Sequence, residues 1–152
     1  MQNPIIRPQI EDKQGNVYVV NIVSEGEIVF SAYISFEKIC VGRINWVIEE
    51  NNVMTLADLV IFDKVGHRPL WSRLLPFLTW KPPNFRQRGL GSAMLRYVIS
   101  QAEKLEVEAI SGFVTSDDLR ETPYLLEFYR QHGFTVRHNA TQSTATIIKE
   151  IR

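Results

Sequence analysis

Residues 85–94 read Phe-Arg-Gln-Arg-Gly-Leu-Gly-Ser-Ala-Met. Arg86, Gln87 and Arg88 stand directly ahead of two glycines, and at Leu90 the chain changes rhythm. Leu90, Met94, Tyr97, Val98, Gln101, Ala102 and Leu105 fall on one helical stripe, interrupted only by Gln101. Gly89 and Gly91 allow the backbone to approach a ligand with no Cβ in the way. A helix start exposes unpaired N–H groups and the positive end of the macrodipole. With Arg86 and Arg88 adding charge, the stretch reads either as a basic turn or as a cradle for an anion. A run of successive amides suits a pyrophosphate better than a single phosphate. No Gly-Lys-Ser/Thr follows, so it is not the Walker pattern, and it lacks the third glycine of the dinucleotide fingerprint.

Upstream of this stretch the chain has a period of two. In the run from Ile28 to Phe36, Ile28, Phe30, Ala32, Ile34 and Phe36 alternate with Val29, Ser31, Tyr33 and Ser35. The turn chemistry of Ser-Glu-Gly-Glu before it, and of Glu-Glu-Asn-Asn after Cys40–Ile48, predicts an antiparallel meander that continues into Val53–Phe62. Downstream, Ala109–Ser116 is the next strand candidate. Thr122 offers an N-cap with Pro123 in the first helical position, which predicts a helix through His132 that stops at Gly133. A closing hairpin follows around Asn139–Ser143. The order is strands, helix, strand, helix, two strands, an α+β chain around a mixed sheet. The segment at about 63–83, rich in Trp, Leu and Pro, fits neither period and reads as an insertion. Connections of this length inside compact domains tend to be functional.

The chain has 152 residues with 45% hydrophobic content, in the range of one domain with a proper core. Seventeen Lys and Arg balance seventeen Asp and Glu. That balance argues against a nucleic-acid partner or an anionic membrane surface, both of which favour a basic surplus. No apolar run reaches the roughly 18 residues of a membrane span, and the first residues lack a signal-peptide pattern. Cys40 is the one cysteine, so no internal disulfide forms and a reducing, cytoplasmic setting is expected. The three histidines are scattered, with no spacing that suggests a metal site.

Pro83, Phe85, Arg86, Gly89 and Gly91 together resemble the coenzyme A pyrophosphate loop of the GNAT N-acetyltransferase superfamily, Arg/Gln-x-x-Gly-x-Gly/Ala opening a long helix. A second match lies in Leu125–Phe134, where Tyr129 precedes the pair Gly133-Phe134 by four residues, as in that family's second signature. The start at Ile5–Asp12 resembles its first strand. The resemblance implies a single GNAT-like domain over residues 1–152 with a mixed, mostly antiparallel sheet flanked by helices. It also implies acetyl-CoA as co-substrate, held by Arg86, Gln87, Arg88, Gly89, Leu90, Gly91 and Ser92. Two central strands, Val53–Phe62 and Ala109–Ser116, would splay to admit pantetheine. Tyr129 would protonate the departing thiolate. The chain departs from the family in two places: Asp12–Ser35 reads as strand and turn where two helices are usual, and the insertion separates the fourth family strand from the loop.

Transfer to an amine also needs a base. Asp58 is the only charge in Thr55–Phe62, and burial among apolar neighbours would favour such a role. Glu49, Asp63 and His67 are lesser candidates. The expected function is acetyl transfer from acetyl-CoA to a primary amine, on a small molecule or a peptide. A non-catalytic acyl-CoA-binding module or sensor is the alternative. The segment from Lys64 to Trp80 is expected to cover or line the acceptor site, and within it residues 71–80, Trp-Ser-Arg-Leu-Leu-Pro-Phe-Leu-Thr-Trp, alternatively form a partner-binding or homodimer surface.

Overall fold

The computed structural model describes residues 7–62, 84–139 and 141–152. The insertion at about 63–83, with Asp63 and His67, lies outside the described residues.

The alternating run at the start becomes five strands in sequence: β1 (Gln9–Glu11), β2 (Val17–Glu25), β3 (Val29–Phe36), β4 (Ile39–Ile48) and β5 (Val53–Ile61). Each is antiparallel to the next, as the short turns require. The β3–β4 turn is the tightest, with Glu37 and Lys38 both at positive φ (48° and 69°), the two-residue geometry that matches strand twist. Helix α1 (Leu90–Lys104) then crosses to β6 (Ala109–Val114), which lies parallel to β5. Two short helices, α2 (Ser116–Glu121) and α3 (Leu125–Gln131), lead to the hairpin of β7 (Thr135–Asn139) and β8 (Thr144–Glu150). The eight strands form one sheet in the order β1-β2-β3-β4-β5-β6-β8-β7. Its single parallel pair, β5–β6, sits in the interior.

The core packs α1 against the sheet. Leu90, Met94, Val98 and Ala102 of the expected stripe are buried, joined by Ala93 and Leu95. Leu105 is not; it follows the last helical residue and is exposed. Tyr18, Val20, Ala32, Ile34, Ile44, Trp46, Met54 and Leu56 supply the strand side. Phe30 and Trp46 stack across β3 and β4 with ring centroids 5.7 Å apart.

The expected helix from Thr122 to His132 starts later, as α3 at Leu125, and α2 precedes it where no helix was expected. Thr115, not Thr122, is the capping residue: its hydroxyl accepts from the Asp118 N–H while the Asp118 carboxylate accepts from the Thr115 N–H, a reciprocal capping box. Thr122 instead closes α2 at φ −133°, ψ 79°. A residue preceding proline is pushed out of the helical region, so Thr122-Pro123 separates α2 from α3 rather than opening one helix. The predicted stop at Gly133 is observed, with φ 83° just beyond α3.

Candidate active site

Strands β5 and β6 run side by side only briefly. They pair from Val53 with Ala109 to Leu56 with Gly112, and then part. The separation coincides with a register shift between β4 and β5: Trp46 faces Leu56 and Asn45 faces Asp58, so Ala57 is an extra residue. A bulge of this kind bends the strand and ends regular pairing. On the other side of the gap, Gly112 leaves room for β8; a Cβ there would lie 3.0 Å from Ile147 Cγ1.

The gap holds a cavity of about 90 Å³ whose lining includes Leu56, Ala57, Asp58, Gly112, Asp118 and Tyr129. Tyr129 and Asp58, far apart in the chain, thus share one wall. Tyr129 is 7% exposed and packs edge-on against Phe128 and Phe134. Burial, reinforced by the negative charges of Asp118 and Asp58, pushes the phenol up to about 12. It therefore remains a proton donor across the neutral range. Asp58 departs from the expectation of a buried carboxylate. Its side chain is 35% exposed, and its Oδ2 accepts from Arg43 Nη2 at 2.8 Å. The bulge is the reason, because it turns Asp58 to the sheet face that carries Asn45 and Arg43 on β4.

Above the gap lies the loop quoted at the outset. Asn84 Oδ1 accepts from the Arg86 N–H at 2.8 Å, and Phe85, 2% exposed, anchors the loop among Tyr18 and Phe36. Gln87 (φ 62°) and Gly89 (φ 78°) adopt left-handed backbone on either side of Arg88, which does not. Such alternation turns successive N–H groups to one side and forms a concavity for an anion. Helix α1 then begins with no side-chain cap on Gly89, and its first internal bond is Ala93 N–H to Gly89 O at 3.0 Å. The N–H groups of Leu90, Gly91 and Ser92 come before that bond. Arg88 directs its guanidinium over the Phe85 ring, 5.1 Å from the centroid, so it braces the loop from behind. Gly91 faces Ile61 and Phe128, which brings the end of β5 and helix α3 to the helix start.

Glu49 stands apart from the cavity, its carboxylate accepting from Thr55 Oγ1 at the turn between β4 and β5. Three residues of this region were not singled out in the linear sequence. Arg43 meets Asp58 only through strand register, Asp118 reaches the cavity only because α2 begins at Ser116, and Lys13 arrives from the first hairpin. The lone charge in a strand would have pointed to Arg43 in Cys40–Ile48, as it did to Asp58.

Residues 7–134 match the sequence profile of the acetyltransferase (GNAT) family. The chain belongs to that family. Three solved structures show the same fold at low identity. One is a GNAT family acetyltransferase from Elizabethkingia anophelis with acetyl-CoA bound, at TM-score 0.61 and 10% identity over 88% of this chain and 97% of that one. Ard1 from Thermoplasma volcanium superimposes at TM-score 0.56 and 15% identity over 80% of this chain and 70% of its own. The ribosomal-protein-S18-alanine N-acetyltransferase from Escherichia coli does so at 0.53 and 17% over 82% and 68%. No curated protein matches the sequence significantly. As a GNAT acetyltransferase the chain is an acyltransferase that uses acetyl-CoA. A loop of converging N–H groups and a cleft between parted strands suit that co-substrate's pyrophosphate and its extended arm. Among the described residues of this GNAT domain, none of the helices precedes Leu90, so the early strands occupy the place where the family usually has two.

Proposed function

We propose that this acetyltransferase moves an acetyl group from acetyl-CoA directly to a primary amine, on a small molecule or a peptide. One observation carries the reading: Tyr129 and Asp58 line the same cavity at the point where β5 and β6 part. The backbone of Gln87, Gly89, Leu90, Gly91 and Ser92 would hold the pyrophosphate, helped by Arg86. The thioester would then lie between the parted strands, where unpaired backbone groups of β5 can polarise its carbonyl.

Asp58 takes a proton from the incoming ammonium, through water where needed, and the free amine attacks the carbonyl carbon. As the tetrahedral intermediate collapses, the C–S bond breaks while the Tyr129 hydroxyl hydrogen-bonds the departing sulfur, and the nitrogen's second proton passes through that hydroxyl to the thiolate. The balance is an amide, free coenzyme A and one proton released. The deciding assay incubates the protein with acetyl-CoA and a panel of primary amines and follows free thiol together with the mass of the acceptor. Thiol release that depends on the amine, with a mass gain of about 42 daltons on the acceptor, supports acetyl transfer to the amine, and the absence of a thiol burst before the amine is added supports direct transfer. Thiol release without acceptor modification overturns it.

A further inference from the structure

A polar row crosses three strands beside the cavity. Asn45, with its amide oriented to satisfy its neighbours, donates to Ser31 Oγ at 2.9 Å and accepts from Arg43 Nε at 3.2 Å. Arg43 Nη2 donates in turn to Asp58 Oδ2 at 2.8 Å. The guanidinium is therefore held at two of its three nitrogens, and Nη1 has no partner among the described residues. Asp58 Oδ1 has none there either. Both side chains are about a third exposed, and Tyr33, directly opposite Arg43 on β3, is exposed beside them.

This arrangement limits which amines approach Asp58 favourably. A simple ammonium meets a carboxylate whose charge is already matched by a guanidinium 2.8 Å away, so attraction and repulsion nearly cancel. An amine with a carboxylate on the same carbon does not suffer this. Its ammonium faces Asp58 Oδ1 while its carboxylate faces Arg43 Nη1, and each charge meets its opposite. Arg is also the side chain whose planar fork best fits a carboxylate.

We infer that the acceptor is a free α-amino acid, with Arg43 as the residue that selects its carboxylate. The inference rests on the acetyl-transfer reading above. It is tested with purified protein and acetyl-CoA, comparing free amino acids with the matching amino-acid amides and with simple alkylamines. Free acids are expected to exceed their amides in kcat/KM by about 10- to 100-fold, the range for a hydrogen bond to a charged group. Arg43→Met should raise KM for the free acids and lower it for the amides, whose ammonium then meets an unmatched Asp58, so that the preference for free acids is lost. Arg43→Lys should recover part of the preference. Wild-type protein that uses acids and amides equally overturns the inference without needing a variant. So does an Arg43→Met protein, folded by its melting curve, that loses both in equal proportion. Turnover of amides and simple amines with none of free acids also overturns it but leaves acetyl transfer standing, whereas no turnover with any amine removes both.

Discussion

Lys13 and Arg88 are joined through the backbone, the Lys13 N–H donating to the Arg88 carbonyl at 2.9 Å. The turn between β1 and β2 is thereby tied to the loop that opens α1. That turn is in turn held from inside by one carboxylate. Asp12 accepts from the Gln14 and Asn16 N–H groups at 2.8 and 3.0 Å, from Asn16 Nδ2, and from the Tyr18 hydroxyl at 2.7 Å. A buried acid one residue beyond the end of β1 so becomes part of the support of a distant loop.

Asp12 should make the fold acid-sensitive in a narrow window. Burial alone would raise its pKa, but the donors from Asn16, Tyr18 and Gln14 outweigh it and bring the carboxyl to about 2. The folded value lies below the unfolded value of 3.8, so this contribution is complete above about pH 4 and is lost as pH falls through about 2. Asp12→Ala should cost about 1–3 kcal/mol at pH 7 by leaving the Tyr18 hydroxyl and two amides unpaired. Denaturant melts of both proteins at pH 7 and pH 2.5 check this: the gap between them should narrow in acid. A gap that is constant with pH would show that the carboxylate contributes through shape alone.

Gly89→Ala should destabilise the protein before any ligand is added. At φ 78° a side chain costs about 1–2 kcal/mol, and a Cβ would lie 2.5 Å from Lys13 Cγ. Lys13→Ala in the same chain should remove the second part of the penalty and leave the first. A double-mutant cycle by chemical denaturation measures the difference. Strict additivity would mean that Lys13 moves aside without cost.

For Tyr129→Phe the raised phenol changes the expected role. A coenzyme A thiol sits near 8.5 on the cysteine scale, so full transfer from a phenol at about 12 is uphill by roughly 3.5 units, or about 5 kcal/mol. The hydroxyl then acts chiefly by hydrogen-bonding the sulfur as charge develops. Its loss should lower kcat by about 10- to 100-fold, at and below the lower end of the range for a general acid that transfers its proton fully. Acetyl-CoA affinity and melting temperature should change little, because the ring and its contacts with Phe128 and Phe134 remain. The phenol's raised pKa also contributes to stability fully below about pH 10 and is lost as pH rises through about 12. Wild-type rates in the variant would leave Tyr129 as packing only.

Acetyl-CoA at about 100 times its dissociation constant should raise stability by about 2.7 kcal/mol. Gly112→Val should abolish much of this shift, since its side chain enters the cleft against Ile147. Calorimetric titration of both proteins decides it, and equal binding would place the co-substrate outside the gap between β5 and β6.

The sequence made the sheet legible because alternation and turn residues are local signals. Ile28–Phe36 carries its period in plain view, Val53–Phe62 is marked by the turn residues before it, and Gly133 carries its left-handed turn. The turn into α1 was legible too, since Gly89 and Gly91 sit beside the helix start they serve. What stayed hidden depends on register. Thr122 looked like a cap, but the restriction imposed by Pro123 keeps it out of the helical region, and Thr115, read as the end of a strand, caps α2 through Asp118. Asp58 looked buried because its neighbours in sequence are apolar, yet the residue that decides its surroundings is Arg43, 15 positions away on the adjacent strand. No periodicity reports a bulge, so the face on which Asp58 emerges could not be read in advance.

The extra residue at Ala57 is separable from the rest of the strand. Delete it, and Leu56 still faces Trp46 while Asp58, Leu59 and Val60 still face Asn45, Ile44 and Arg43. Every inward and outward side chain would keep its direction, and the β4–β5 ladder would run unbroken. The fold has no need of that position, and the cleft does. In a shortened chain of this kind we expect the two middle strands to pair further and the cleft to close, so that one residue with a methyl group for a side chain separates a plain sheet from an open one.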